Sequence, residues 1–243
     1  MNQQQVKDKV VIVTGAGQGL GEAIASTLGA AGAIVCTCDI KEVQVKNVTS
    51  AINDAGGSAC SYVLDVRKED DIRRTVDNIL AEHGRIDVLI NNAGTDTTLS
   101  IEDISIADWD RVVDVNLRGA FLLSKAVYPI MKRQGKGHIV NIASTAAKRV
   151  WTEATAYHAS KWGLLGFSHA LHAEGRRDNI KVTAVVAGGM RTPFIMERFP
   201  DTDPNVLQDP KNVAETVHFV LTQPDETVIP EVMVLPMRET SWP

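Results

Sequence analysis

Two side chains that could take part in a reaction, Tyr157 and Lys161, are four positions apart in the stretch Tyr-His-Ala-Ser-Lys. Residues with this spacing lie on one face of a helix, so the hydroxyl and the ammonium group can approach each other. A free tyrosine has a pKa of about 10, and a nearby positive charge favours its ionised form. Such a tyrosine can exchange a proton with a bound substrate. Taken alone, the same spacing is also that of an ordinary surface pair.

A second hydroxyl, that of Ser144, lies 13 residues before Tyr157 and ends a predicted strand. In doubly wound sheets, ligands bind at the carboxyl ends of the strands. We therefore expect Ser144, Tyr157 and Lys161 to converge beside one ligand. There, the Ser144 hydroxyl can hydrogen-bond that ligand.

A glycine-rich run from Thr14 to Gly21 follows the first predicted strand and opens the first predicted helix. A diphosphate binds to backbone N–H groups at a helix N-terminus, and glycines let the backbone come close to it. The glycine spacing differs from the usual G-x-G-x-x-G, and a tight turn without a ligand would look similar. The order of strand, turn and helix nevertheless favours a dinucleotide site.

The acidic residue Asp39 ends the second predicted strand, 18 residues after Gly21. A carboxylate at this place can accept hydrogen bonds from both ribose hydroxyls, whereas a 2′-phosphate would meet its negative charge. No Lys or Arg flanks the glycine turn, and position 18 is Gln. Both observations predict NAD rather than NADP, with a solvated strand-end carboxylate as the alternative interpretation.

The elements that position these residues are apolar runs alternating with helical patterns. Continuous apolar strands are typical of a parallel sheet covered on both faces, and their alternation with helices predicts right-handed crossovers. The fold class is therefore α/β: a doubly wound parallel sheet of about seven strands in a single domain. The predicted strands are residues 9–14, 33–39, 58–65, 86–91, 138–143, 181–187 and 228–235, and the predicted helices are 19–31, 43–55, 69–82, 106–133, 154–177 and 212–222. Residues 192–211, irregular and rich in Pro and Asp, are expected to form a substrate lid.

Composition excludes several classes of partner. The 243-residue chain carries a net charge of −5, which argues against nucleic acid, because phosphates are neutralised by clustered Lys and Arg. No apolar run reaches the roughly 20 residues that span a bilayer. Residues 1–9 lack the apolar segment of a signal peptide. We therefore expect a cytoplasmic protein with no membrane partner.

Cysteines give little sign of a special site. Three are too few for a disulfide framework. Cys36 and Cys38 are two apart on a predicted strand and so point to one face, where we interpret them as buried thiols. No further metal ligand stands near them in the sequence, and His169 and His172 lack carboxylates on a facing element. No metal site is therefore expected.

Together, these motifs resemble the short-chain dehydrogenase/reductase family over nearly the whole chain. The resemblance rests on features in the family's order: the Thr14–Gly21 turn, Asp65-Val66, Asn91-Asn92-Ala93-Gly94, Asn116, Ser144, Tyr157 and Lys161. It implies a Rossmann-type oxidoreductase that moves a hydride between C4 of a nicotinamide and a secondary alcohol or ketone. Combined with Asp39, it implies NAD as the cofactor.

The resemblance also implies roles for single residues. Asn116, Ser144, Tyr157 and Lys161 would be catalytic, with Asn116 holding a water that links Lys161 to solvent. Lys161 would also bind the nicotinamide ribose, and Thr192 the nicotinamide amide. The cofactor contacts, with the adenine beside Asp65 and Val66, would come from Gly15, Gln18, Gly19, Leu20, Gly21, Asp39, Ile40, Asp65, Val66, Asn91, Ala93, Gly94, Tyr157, Lys161, Gly188, Met190 and Thr192.

The pKa of Tyr157 decides whether it can act as a base. Lys161 and an oxidised nicotinamide are both positive, and one charge about 4 Å away is worth roughly 4 kcal/mol at an effective dielectric of about 20. That energy corresponds to about 3 pK units, while desolvation of the phenolate opposes the shift. We expect a net pKa that allows proton exchange near neutrality.

The chain departs from the family in two places. After the sixth predicted strand, Ala187 takes the position of a usual proline, so this cofactor-side turn is expected to be more mobile. The chain also ends without the family's glycine-rich segment. Trp242, near that end, could be exposed or packed on a neighbouring subunit.

The substrate pocket is expected among residues that follow the predicted strand ends. The candidates are Ser144, Thr145, Ala146, Trp151, Tyr157, Met190, Phe194 and Met196, with Thr95 and Asp96 as further contributors. This set is mostly apolar, which favours a hydrophobic or aromatic secondary alcohol or the corresponding ketone.

Self-association is a further expectation. The predicted helices 106–133 and 154–177 carry more apolar side chains than one sheet can cover. The family resemblance implies a homodimer or homotetramer formed through these two helices.

Two other functions stay open. A reductase of 3-oxoacyl thioesters that uses NADPH would share the motifs, although Asp39 and Gln18 disfavour NADP. A non-catalytic NAD-sensing module would share the fold, but it has no chemical need for the catalytic side chains. Absorbance of NADH with a panel of secondary alcohols would separate an enzyme from a sensor.

Overall fold

Seven parallel strands form one sheet in the order β3-β2-β1-β4-β5-β6-β7, in a computed structural model that describes residues 6–238. The order reverses between β1 and β4, and this switch point is where doubly wound sheets bind ligands. The strands are β1 (Val10–Thr14), β2 (Ile34–Asp39), β3 (Ser58–Val63), β4 (Val88–Asn91), β5 (Gly137–Ser144), β6 (Ile180–Ala187) and β7 (Glu231–Val234). The predicted doubly wound parallel sheet is confirmed.

Helices cover both faces of the sheet, because alternate residues of a strand point to opposite sides. Val11 and Val13 of β1 join one core cluster, while Val10 and Ile12 join the other. All five residues of β1 are buried, as its unbroken apolar sequence predicts. The helices are α1 (Gly19–Ala30), α2 (Glu42–Asp54), α3 (Glu69–His83), α4 (Ile106–Val113), α5 (Gly119–Gln134), α6 (Thr155–Gly175), α7 (Pro193–Met196) and α8 (Pro210–Leu221).

The single helix predicted at 106–133 is interrupted. A π-helical segment, Asp114–Arg118, lies between α4 and α5 and contains Asn116. Such a segment inserts one residue into a helix and is frequent at functional sites. Gly119, the next residue in the chain, packs closely against Val66: a Cβ on Gly119 would be 2.9 Å from Val66 Cγ2. Because this packing is tertiary, helical periodicity in the sequence did not reveal the break.

Residues 192–211, predicted as an irregular lid, contain α7 and one turn of 3-10 helix, Pro204–Val206. The next helix, α8, begins two residues before its predicted start, since the Asp209 side chain accepts a hydrogen bond from the Lys211 N–H at 2.8 Å. An Asp cap followed by Pro is a strong helix start. The last strand, predicted as 228–235, covers only Glu231–Val234.

Two large apolar side chains are exposed on the helices predicted to mediate subunit contacts. Phe121 on α5 and Trp162 on α6 are 44% and 50% exposed, on the two helical regions expected to mediate self-association. The homodimer or homotetramer stays a prediction. Trp242 lies outside the described residues. Across residues 6–238, the structure contains no helix with the length and apolarity needed to cross a membrane.

Candidate active site

A cavity of about 770 Å³ opens at the carboxyl ends of the strands. Its wall includes residues that end or follow six strands, namely Gly15, Asp39, Asp65, Ala93, Ser144 and Gly188. The cavity therefore spans the switch point between β1 and β4, where a dinucleotide is expected in this fold class. Most of the predicted cofactor residues meet there because every parallel strand ends at the same edge.

The glycine turn between β1 and α1 lets two backbone segments pass in close contact. Gly15 has a φ of +64°, and a Cβ on Gly21 would lie 2.0 Å from the Gly15 carbonyl oxygen. The Asn92 side-chain amide donates hydrogen bonds to the carbonyl oxygens of Thr14 and Gly15, at 2.9 and 3.2 Å. These contacts fasten the turn to the segment that follows β4.

The start of α1 fits an anionic group. Its N-cap residue, Gln18, makes no side-chain hydrogen bond to the first helical N–H groups. The first N–H groups of a helix have no partner within the helix, and they attract phosphate oxygens. Gln18, Gly19, Leu20 and Gly21 all line the cavity. The residues present thus suit the diphosphate of a dinucleotide.

The Asp39 carboxylate is held in place by two backbone N–H groups. Its Oδ2 accepts from Gly17 and its Oδ1 from Lys41, both at 2.9 Å, and Ile40 and Lys41 line the cavity beside it. The Lys41 ammonium group donates to Gln18 Oε1 at 3.3 Å. No basic residue is next to the glycine turn in the sequence, but in the folded chain Lys41 lies beside it, so that expectation is wrong. Lys41 stands only two residues after Asp39, so its position in the sequence was a usable signal.

At the end of β3, Asp65 and Val66 line the cavity as predicted. Arg67 binds the Asp65 carboxylate through two side-chain hydrogen bonds, at 2.9 and 2.7 Å. This hydrogen bonding outweighs burial and lowers the pKa of Asp65. The carboxylate is thus kept ionised and fixed. Arg67 also lines the cavity, and the sequence interpretation did not include it.

The three candidate catalytic side chains share one wall of the cavity. Tyr157 and Lys161 project from α6, and Lys161 Nζ lies 5.7 Å from the centre of the Tyr157 ring. The Ser144 hydroxyl lies on the same wall as Tyr157 and accepts a hydrogen bond from the Ala146 N–H at 3.1 Å. The Lys161 ammonium group donates to the Ile142 carbonyl oxygen at 2.8 Å. The arrangement holds a phenol, a hydroxyl and an ammonium group around one point.

Burial controls the protonation of both ionisable groups at this wall. It raises the pKa of Tyr157 to about 12; the nearby Ser144 hydroxyl and Arg198 lower that pKa, and Asp96 raises it. Burial lowers the pKa of Lys161 to about 8, with Asp96 opposing. The expectation of a pKa that allows proton exchange near neutrality included the charge of a bound nicotinamide and stays a prediction, but the chain's own groups shift the pKa of Tyr157 upward. The reason is that desolvation of the phenolate dominates, while Lys161 is hydrogen-bonded to Ile142.

Two predicted site residues lie behind the wall instead of on it. Asn116 accepts from the Thr95 N–H at 2.8 Å and donates to the Ser160 hydroxyl at 2.9 Å. A Cβ on Gly94 would be 3.5 Å from Asn116 Oδ1 and 3.8 Å from Lys161 Nζ. Asn116 thus positions the segment after β4, and its water relay stays a prediction. Asn91 is buried and donates to Asn141 Oδ1 at 2.8 Å, whereas Ala93 and Gly94 reach the cavity.

The turn after β6 is tied down by backbone hydrogen bonds despite Ala187. The Gly188 N–H donates to the Val234 carbonyl oxygen at 2.9 Å, and the Thr192 N–H donates to that of Met190 at 2.8 Å. Thr192 is buried and faces the glycine turn, since a Cβ on Gly19 would be 3.4 Å from Thr192 Cβ. Gly188, Met190 and Thr192 all line the cavity, as predicted.

Most candidate substrate residues reach the cavity. Thr145, Trp151, Met190 and Phe194 line it, in addition to Ser144 and Tyr157. The backbone N–H of Trp151 donates a hydrogen bond to His158 Nε2 at 3.1 Å. The Phe194 ring lies 5.8 Å from that of Tyr157.

Two candidate substrate residues do not line the cavity. Ala146 packs behind Tyr157 in a small buried cluster. Met196 is absent from the cavity wall because α7 presents Phe194 and Ile195 there instead.

Charged residues make the pocket more polar than the sequence predicted. Asp96, Arg111, Glu197 and Arg198 line the cavity. The Arg198 guanidinium lies 4.0 Å from Asp96 Oδ2 and 4.0 Å above the Phe194 ring. Asp96 was a candidate, but Arg198 is 102 residues away in the sequence and no motif connects them. Their pairing joins the 192–211 segment to the segment after β4.

Comparisons with known proteins agree with this geometry. The family model for short chain dehydrogenases matches residues 9–203. An uncharacterized oxidoreductase of Staphylococcus aureus (strain MRSA252) is 33% identical over 230 residues, covering 95% of this chain and 98% of the relative. A metagenomic short-chain oxidoreductase solved in complex with NADP is 35% identical, with a TM-score of 0.86 over 96% of this chain and 99% of the other. Levodione reductase is 29% identical, with a TM-score of 0.89 over 95% and 97% of the two chains.

Proposed function

Because the chain belongs to the short-chain dehydrogenase/reductase family of oxidoreductases, we propose that it transfers a hydride between C4 of NAD and a secondary alcohol or ketone. One observation carries this proposal: Ser144, Tyr157 and Lys161 meet at the wall of a cavity that also contains the uncapped start of α1. A phosphate-binding turn and a proton-transfer group therefore open into the same space. A cytoplasmic location stays part of the proposal.

The bound dinucleotide would transfer the hydride, and side chains of the protein would transfer the proton. When bound, the nicotinamide supplies the site that accepts or donates the hydride. Tyr157 gives a proton to the carbonyl oxygen in reduction and takes one from the hydroxyl in oxidation. Ser144, which lines the cavity beside Tyr157, donates a hydrogen bond to the same substrate oxygen. Lys161 places a positive charge beside the phenol and so stabilises its ionised form.

The rate of alcohol oxidation is expected to rise with pH, because burial raises the pKa of Tyr157 to about 12 and the phenol form dominates at neutral pH. Oxidation needs the phenolate, so its rate should increase by up to about tenfold per pH unit until the pKa of the ternary complex is reached. Ketone reduction uses the phenol and should not rise in this way. Initial rates in both directions between about pH 6 and the Lys161 pKa of about 8, above which Lys161 loses its charge, measure this difference by NADH absorbance. An oxidation rate that falls over that range would contradict the role of Tyr157.

The choice of NAD over NADP is supported by Asp39. Its fixed carboxylate lies in the cavity wall at the end of β2, where it can accept from ribose hydroxyls and repels a 2′-phosphate. One observation favours the alternative: the Lys41 ammonium group beside Gln18 could attract that phosphate. The metagenomic relative was solved in complex with NADP. The balance between Asp39 and Lys41 therefore decides the cofactor.

Replacing Asp39 by alanine is expected to shift the ratio of NAD to NADP affinity toward NADP by at least about tenfold, or about 1.4 kcal/mol. The reason is that the variant removes the repulsion and leaves Lys41 free to meet a phosphate. Fluorescence titration with NADH and NADPH measures the ratio. The double variant Asp39→Ala, Lys41→Ala is the control and should lose most of the gain. If the unmodified protein already prefers NADPH, the proposal of NAD is wrong.

The substrate proposed is a medium-sized hydrophobic or aromatic secondary alcohol or its ketone. Apolar support comes from Trp151, Met190 and Phe194, while Asp96 and Arg198 favour a substrate with one additional polar group. A panel of such compounds, including levodione, should give turnover with NAD for the alcohols and with NADH for the ketones. No turnover with any member would favour a non-catalytic sensor, although a sensor would carry the cost of burying Lys161 without a use for it.

A further inference from the structure

Three potential metal ligands come together outside the cavity. Cys36 on β2 and Cys60 on β3 are directly paired neighbours in the sheet, and His83 lies in the last turn of α3. The two Sγ atoms and a ring nitrogen of His83 all lie within 4.8 Å of one another. Among the described residues, this is the group of thiol and imidazole side chains with the geometry to share an ion.

The distances agree with a tetrahedral zinc site. Cys60 Sγ lies 3.6 Å from Cys36 Sγ and 3.6 Å from His83 Nε2. Zinc binds thiolate sulfur at about 2.3 Å and imidazole nitrogen at about 2.0 Å, so tetrahedral edges are about 3.8 Å between sulfurs and about 3.5 Å between sulfur and nitrogen. An ion could enter with shifts of a few tenths of an ångström. A disulfide would instead require the two sulfurs to approach to about 2.05 Å.

We propose that Cys36, Cys60 and His83 bind one Zn²⁺ ion, with a water molecule or the Glu82 carboxylate as fourth ligand. Glu82 Oε2 lies 3.8 Å from His83 Nε2 but outside the group of mutually close ligand atoms, so its carboxylate would have to move to coordinate the ion, whereas a water molecule would not require this. Binding releases both thiol protons to solvent, and the two thiolates then neutralise the charge of the ion. Charge neutrality matters here because Cys36 is fully buried.

The surroundings supply the outer contacts and the access that such a site needs. The Tyr62 hydroxyl donates to Glu82 Oε2 at 2.6 Å and lies 3.6 Å from Cys60 Sγ. Outer partners of this kind orient ligands and raise metal affinity. The His83 side chain is 20% exposed and Cys60 is only partly buried, so an ion can reach the group from solvent.

The site would stabilise the sheet edge formed by β2 and β3, which lies at the end of the cavity where the adenosine is expected. Zinc would join β2, the edge strand β3 and the end of α3. The first two of these elements lead to Asp39 and to Asp65. The expectation of no metal site considered only ligands near Cys36 in the sequence. Cys60 and His83 are 24 and 47 residues away, and folding brings all three together.

Zinc titration of the tag-free 243-residue chain tests the proposal. Reduced protein is titrated with Zn²⁺ in competition with a chromophoric chelator, and one equivalent per chain is expected. The variants Cys60→Ser and His83→Ala should each weaken binding by at least about 100-fold, more than the loss of an outer partner does. Cys38→Ser is the matched control: Cys38 is also a buried thiol of β2 but lies outside the group, so its variant should keep the site.

Two further readouts separate the outcomes. Co²⁺ in place of Zn²⁺ should give thiolate-to-metal absorption in the unmodified protein and in Cys38→Ser, and this absorption should be lost in Cys60→Ser. Equal zinc affinity in the unmodified protein and in His83→Ala or Cys60→Ser would overturn the proposal. Mass spectrometry without reductant that shows loss of two hydrogens through a Cys36–Cys60 disulfide, together with no zinc uptake after reduction, would also overturn it.

Discussion

Replacing Tyr157 by phenylalanine is expected to lower turnover by at least about 100-fold in both directions while the dinucleotide still binds. The variant removes one hydroxyl from a ring that is buried between Ser144 and Lys161 and leaves the packing of the ring against Phe194 unchanged. Without that hydroxyl, the wall retains the Ser144 hydroxyl, which is far less acidic than a phenol, and Lys161, whose ammonium group donates to the Ile142 carbonyl oxygen. Steady-state kinetics with NAD and the best alcohol of the panel measures the loss.

Tyr128→Phe is the matched control for this prediction. The Tyr128 hydroxyl donates to Asp178 at 2.8 Å, away from the cavity wall, so its removal should leave turnover close to that of the unmodified enzyme. Titration with NADH should give similar affinities for the unmodified enzyme and both variants. Near-normal turnover in Tyr157→Phe would remove this residue from the mechanism, and a large loss in Tyr128→Phe would point to a general effect on folding.

Introducing a methyl group at Gly21 is expected to weaken dinucleotide binding by roughly 5- to 150-fold, which corresponds to about 1–3 kcal/mol of overpacking. A Cβ there would lie 2.0 Å from the Gly15 carbonyl oxygen and 2.6 Å from the Asn92 side-chain nitrogen. Both neighbours are held by hydrogen bonds, so the glycine turn must open and move its N–H groups. Fluorescence titration with NADH measures the change in Kd.

Gly166→Ala provides the control for Gly21→Ala. Gly166 lies on α6 with nothing within 4 Å of an added Cβ, so alanine there should preserve NADH binding and raise helix propensity. Circular dichroism of both variants shows whether the fold is kept. An unchanged Kd in a folded Gly21→Ala variant would contradict the assignment of the glycine turn to the dinucleotide.

The sequence by itself determined the order of strands and helices, and it determined which strand ends carry the residues of the site. The apolar run of β1 and the glycine turn after it act locally, because a buried parallel strand needs continuous apolar residues and a turn needs backbone freedom. Ser144 at a strand end and the spacing from Tyr157 to Lys161 follow from the same local periodicities. Family resemblance then extended these positions to roles.

The tertiary structure alone decided which charges meet and how they ionise. Lys41 reaches Gln18, Arg198 reaches Asp96, and burial raises the pKa of Tyr157 although Lys161 stands nearby. The π-helical break at Asp114–Arg118 also depends on packing between distant segments. Coulomb energy depends on the distance between groups, and the desolvation penalty on how far each group is removed from water. Both quantities are set only when segments far apart in the chain come together. They therefore cannot be predicted from the periodicity and spacing of the sequence.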